Sequence, residues 1–171
     1  TRRFDRLATG EKLHMQSLGA IAHYDFNSAG AYAYEQALLV IRQLGLPMNA
    51  VEQLFRRMVF NIAARNQDDH VKNIAFLMDK QGNWSLAPAF DMTYSFNPSG
   101  AWTASHQMTL NGKRDGFVRA DFEAAAKGAS MQRGRAKRIM QEVCAVVAHW
   151  PDYARDAGVS PDWIGRIQGV L

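Results

Sequence analysis

The stretch Asn66-Gln67-Asp68-Asp69-His70-Val71-Lys72-Asn73 gathers two carboxylates, an imidazole, an ammonium and two asparagines in eight residues. Phosphoryl transfer to a hydroxyl uses such groups. A carboxylate orients and deprotonates the attacking hydroxyl, oxygen ligands hold magnesium on the nucleotide phosphates, and a cation balances charge on the transferred group. Magnesium prefers oxygen and keeps several waters, so one carboxylate and one amide oxygen suffice from the protein. Asp68 and Asn73 are five positions apart, the Asp-to-Asn spacing of a protein-kinase catalytic loop. Asp91 follows eighteen positions after Asn73, where such a loop is followed by a metal-binding Asp. This layout makes Asp68 the base, Asn73 and Asp91 the Mg2+ ligands serving ATP, Lys72 a charge-balancing group, and His70 a residue that holds the loop's shape. Asp69 either caps a turn or adds a second carboxylate near the metal; the structural role is the one expected.

The elements on either side must bring these groups together. Val51, Leu54, Phe55, Met58, Val59, Ile62 and Ala63 recur at steps of three and four, which predicts a helix opened by Pro47 and Asn49 with one buried stripe. It should stop near Arg65, because Asn66, Asp68 and Asp69 favour turns and caps. Ile74–Asp79 and Trp84–Phe90 read as two strands joined at Lys80-Gln81-Gly82-Asn83, a hairpin that turns Asp91 back toward the polar loop. Upstream, a short helix is expected around Leu13–Ala22 and a longer one over Ala31–Leu44, capped by Gly45. Downstream, His106–Leu110 reads as extended, with Asn111-Gly112 as a turn. Asp121 is expected to cap Phe122–Lys127, and Ser130 to open a long helix with Ile139, Met140, Val143, Cys144 and Val147 inside. Ser160-Pro161 starts a last short helix. The fold class is therefore mainly α with a small β-hairpin, one domain over residues 1–171.

Here the motif resembles a known family. The run from Asn66 to Met92, with Asp68, His70, Lys72-Asn73 and then Pro88-Ala89-Phe90-Asp91, is similar to the catalytic segment of HipA-type serine/threonine kinases. Arg2-Arg3-Phe4-Asp5-Arg6 resembles that family's hinge between lobes, and His106–Phe117 its post-catalytic region. The resemblance implies the C-terminal helical lobe of a protein-kinase-like, phosphatidylinositol-kinase-like fold. It implies a toxin of a toxin–antitoxin pair that phosphorylates a protein, such as an aminoacyl-tRNA synthetase, and binds a HipB-like DNA-binding antitoxin, so that DNA is met through the antitoxin. By residue it makes Asp68 the base and Asn73 and Asp91 the magnesium ligands. The family's N-terminal nucleotide lobe is absent from this chain, which opens on Thr1 and carries no Gly-rich phosphate loop. The second expectation is thus a kinase-like binding module that engages an antitoxin or a separate small lobe.

Bulk properties bound these readings. With 171 residues, 47 % hydrophobic and 21 % charged, the chain should bury a sizeable core. A net charge of +4 favours an anionic partner without demanding nucleic acid. The densest basic run, Arg133–Arg138, reads as a solvated helix face. The single cysteine, Cys144, excludes an internal disulfide, fits a reducing cytoplasm and is expected in the core. No apolar run approaches the ~18 residues of a membrane span. The scattered histidines speak against a two-metal hydrolase built on Asp68, Asp69, His70 and Asp91.

Overall fold

The computed structural model describes residues 3–171. In chain order the elements are β1 (His14–Ser17), α1 (Leu18–Ala22), α2 (Tyr34–Gln43), α3 (Met48–Ala63), β2 (Ala75–Met78), β3 (Trp84–Leu86), α4 (Arg119–Gly128), α5 (Arg135–Ala148), α6 (Trp150–Asp156) and α7 (Pro161–Gln168). The expected hairpin is β2 and β3, with Phe76 opposite Leu86 and Met78 opposite Trp84. It is one part of a three-stranded antiparallel sheet of order β1-β2-β3. This corrects two expectations. The segment read as one short helix from Leu13 divides into strand and helix at Ser17, whose hydroxyl accepts the Ala20 N–H at 3.2 Å and caps α1. The second strand ends at Leu86, two residues before Pro88, which has no N–H to give a ladder. Asp79 likewise leaves β2 to build the turn, accepting from the Gln81 and Asn83 backbone N–H groups at 2.9 Å each.

Helix α3 is the spine of the molecule. Val51, Leu54, Phe55, Met58 and Val59 are buried along it, and α2 and α5 pack against it. Ion pairs Arg56–Glu142 at 2.5 Å and Arg135–Glu52 at 2.8 Å fasten the α3–α5 rim. Helix α2 begins at Tyr34 rather than Ala31, because the Gln36 side chain reaches back to the Ala33 N–H at 2.7 Å. It ends as expected at Gly45, which takes φ 70° while Leu46 N–H bonds Ile41 O and Gly45 N–H bonds Arg42 O.

Two helix boundaries downstream differ from expectation. Ser130 closes α4 instead of opening α5: it lies in the left-handed region (φ 58°), and Met131 N–H returns to Ala126 O. Helix α5 starts after Gly134. Asp121 sits inside α4 and accepts the Val118 N–H at 2.8 Å from its third position. Cys144 is exposed, not in the core, because Ile139 and Val143 occupy the inner stripe one helical turn apart and Cys144 falls beyond it. Asp5 bridges Arg3 and Arg6, an ion-pair role within the segment that resembles the family's hinge.

Phe76 is wholly buried on β2, so Phe76→Ala should lower unfolding free energy by about 3–5 kcal/mol, read from the urea midpoint. Cys144→Ser should stay within about 0.5 kcal/mol. Asp121 supplies a pH test. The Asn111 amide, the Lys113 ammonium and the Val118 N–H hold its carboxyl down to about 2. Its folded pKa lies below the unfolded value near ~3.9, so its contribution is full above that pH and lost as pH falls toward about 2. Asp121→Asn should therefore flatten the loss of stability across that acid window, measured by urea midpoints at stepped pH.

Candidate functional site

The polar loop begins where α3 is forced to end. Arg65 occupies the left-handed region (φ 53°), and Asn66 N–H bonds back to Asn61 O at 2.9 Å. This helix stop normally favours glycine, so a non-glycine residue stores strain beside the loop. The loop is then held from above by α1: Leu18 N–H bonds Ile74 O at 2.7 Å and Gly19 N–H bonds Val71 O at 3.1 Å. A Cβ on Gly19 would meet Tyr24 O and Val71 Cγ2 at 3.2 Å each, so the close approach depends on glycine.

Asp69 is the buried centre. Its Oδ2 accepts the Tyr34 hydroxyl at 2.6 Å and lies 2.8 Å from His106 Nδ1, and its Oδ1 accepts the Gln107 N–H at 2.7 Å. With the carboxylate as acceptor, His106 Nδ1 carries the proton. Asn61 donates to the Tyr34 oxygen at 2.9 Å, and Asn66 donates to Asn61 Oδ1 at 2.9 Å and reaches Asp91 O at 3.3 Å. Burial, reinforced by the Asp69 charge, raises the Tyr34 pKa well above its ordinary value, so its hydroxyl remains a donor. Asp69 thus has the structural role expected of it. The network also ties the polar loop to the backbone of Asp91.

The expected site residues fall into two groups. Asn73, Asp91 and His70 line one narrow cleft, together with Tyr34, Asn61 and Arg57. Asn73 Nδ2 donates to Asp68 O at 3.0 Å, which leaves its Oδ1 available to a cation. Asp91 is exposed, takes φ 54° and has no ion-pair partner among the described residues. His70 Nδ1 is buried without a hydrogen-bond partner. One free amide oxygen and one free carboxylate suit a hard divalent cation with water in its remaining positions. Among the described residues no group of three His, Cys, Asp or Glu side chains forms a metal cluster.

Asp68 and Lys72 do not line the cleft. The Asp68 side chain is 45 % exposed, with His70 Nε2 at 3.9 Å from Oδ1. Lys72 is exposed and its ammonium lies over the Phe26 ring, 3.4 Å from the centroid. The sequence reading missed Tyr34, Asn61, Asn66, His106, Arg57 and Phe26. Asn61 was within reach of it, because it stands three residues after Met58 and seven after Leu54, on the buried side of α3. Arg57 donates to Ala87 O at 2.7 Å; burial lowers its pKa, but a guanidinium remains charged and lends the cleft a positive wall. A separate apolar cavity lined by Phe60, Met92, Val147, Trp150, Tyr153 and Ile167 carries little polar chemistry.

The adjacent carboxylates should separate in a stability measurement. Asp69→Asn leaves a carboxamide facing three donors and should cost about 2–3 kcal/mol of unfolding free energy. Asp68→Asn should cost less than about 0.5 kcal/mol. Urea midpoints of the two variants check this.

Comparison with known proteins follows the same outline. The family model described as the HipA-like C-terminal domain matches residues 1–150. A chain from the Shewanella oneidensis MR-1 toxin–antitoxin complex of HipA, HipB and operator DNA superposes with a TM-score of 0.77 over 98 % of this chain, at 15 % identity. The match covers 45 % of that chain, so the present sequence spans less than half of its length. At that identity the likeness speaks for the fold. No curated protein matches. With a matched segment that takes in the polar loop, the sheet and the helices through α5, this chain belongs to the HipA-like C-terminal domain family.

Proposed function

We propose that this chain is the magnesium-binding and hydroxyl-activating lobe of a HipA-like serine/threonine protein kinase. The observation that carries the reading is the pairing of a free Asn73 amide oxygen with an unpaired Asp91 carboxylate on one cleft, reached from a loop that also bears Asp68. Asn73 and Asp91 hold Mg2+, which supplies charge neutralisation on the ATP phosphates. Asp68, partly exposed at the loop's outer side, accepts the proton of the attacking serine or threonine hydroxyl. Lys72 and Arg57 furnish positive charge to either side. His70 shapes the loop, its ring T-shaped to that of Phe26 at a centroid distance of 6.3 Å. The substrate is a protein, an aminoacyl-tRNA synthetase being the type that the family resemblance suggests. A HipB-like antitoxin is the proposed partner, in keeping with the complex that the structural neighbour forms, and DNA is reached through it. The proposed setting is the cytoplasm; among the described residues no helix is long and apolar enough to cross a membrane.

A second reading has one observation in its favour. The cleft is narrow, and the triphosphate would need a second wall that these residues do not form. On that reading the lobe is a binding module for an antitoxin or a separate small lobe.

Phosphate labelling of lysate proteins by the complete gene product separates the two. The kinase reading expects labelled protein with the wild type and at least a ~100-fold loss with Asp68→Asn, the scale of a removed general base. Nucleotide affinity should be largely kept in that variant. Asp91→Asn should weaken the magnesium-dependent part of ATP binding, measured by titration with and without Mg2+. Full labelling by the Asp68 variant would refute the base assignment, and antitoxin binding without any labelling would favour the binding module.

A further inference from the structure

Phe26 is 42 % exposed, outside the main core, on the loop between α1 and α2. A solvent-facing aromatic is ordinary in itself. This one is presented by a loop with much local bonding. The Asp25 carboxylate accepts the Asn27 N–H and side-chain amide at 3.0 Å each and the Ser28 hydroxyl at 3.3 Å. The Tyr32 hydroxyl accepts the Asp25 N–H at 2.8 Å, and the Tyr32 ring stacks on Tyr24 at 4.2 Å. The ring so held carries the Lys72 ammonium over it, 3.4 Å from the centroid, and packs T-shaped against the His70 ring.

The alternative place for that ammonium is Asp68, four residues earlier on the same loop. Asp68 borders this cluster through His70, whose Nε2 lies 3.9 Å from Asp68 Oδ1 and whose ring packs T-shaped against Phe26. Here Lys72 has no ion pair within 4.0 Å among the described residues. We infer that Phe26 is a positioning residue of the phosphoryl-transfer site: its ring parks the Lys72 ammonium off Asp68 until nucleotide phosphate takes the charge. This rests on the kinase reading. An ion pair with Lys72 would occupy the carboxylate oxygens that must receive the substrate hydroxyl. The ring keeps them open at little cost, because a cation–π contact at an exposed site is weak enough to be surrendered to an anionic phosphate oxygen.

The test uses the complete gene product with 13C-labelled lysine, the Lys72 signal being assigned by its loss in Lys72→Met. In the free protein the Lys72 Hε protons should lie upfield of the other lysines, under the ring current. Phe26→Leu should remove that shift, and Phe26→Tyr should keep it. Addition of Mg2+ with a non-hydrolysable ATP analogue should move Lys72 off the ring. Because the ring gives up the ammonium when nucleotide binds, Phe26→Leu should raise the KM for ATP about two- to five-fold with kcat little changed, and Phe26→Tyr should restore it, the range corresponding to one exposed cation–π contact. A Lys72 signal level with the other lysines in the free wild type would overturn the proposal, as would a lysine still on the ring with nucleotide bound. An equal rise in the KM for ATP in the Leu and Tyr variants would do so too. Absence of transfer in every form, with the ring shift present and released by the nucleotide, would instead count against the kinase reading alone.

Discussion

The placement of the polar loop depends on one buried carboxylate. Asp69 sits where the polar loop that bears it, the first turn of α2 and the segment through His106 and Gln107 meet; α2 contributes one donor to it and that segment two. None of these segments belongs to the sheet, and α2 alone among them is a helix. A charge withdrawn from water must be satisfied by hydrogen bonds, and three well-placed donors meet that demand here. The geometry is therefore mutual. The carboxylate fixes the segments because they are what makes its burial tolerable.

From this centre the order passes outward along amides. Tyr34, Asn61 and Asn66 relay it to the carbonyl of Asp91, while Asn73, the other end of the proposed metal pair, is held by its own bond to the Asp68 carbonyl. The sheet adds a second constraint by returning the chain from Met78 to Trp84. The first turn of α1 supplies a third through its hold on Val71 and Ile74. A loop of two aspartates and a lysine would otherwise be a solvated bend. Its rigidity comes from neighbours that carry none of its chemistry.

Much of this was legible in the residues, for stated reasons. The α3 stripe and the Gly45 stop follow from periodicity and from φ preference, which are local. The Asp68–Asn73–Asp91 spacing pointed at a polar loop and hairpin that are present, and the structure brings Asn73 and Asp91 onto one cleft. What was not legible is long-range. His106 gives no sign in its own neighbourhood that it faces Asp69, thirty-seven residues away. Residues 14–17 read as helix because strand β1 exists only through its pairing with β2. Ser130 can cap a helix start or adopt the left-handed turn at a helix end, and here the return of Met131 N–H to Ala126 O goes with the second.

The left-handed backbone at Asp91 restricts what can stand there. Only a short alphabet of residues tolerates φ near 54° without further strain: glycine, asparagine and aspartate foremost. Two of those three lack a negative charge and would leave the bend intact. On the proposed reading, one exchange at this bend would therefore take away the carboxylate ligand and leave the path of the backbone as it is.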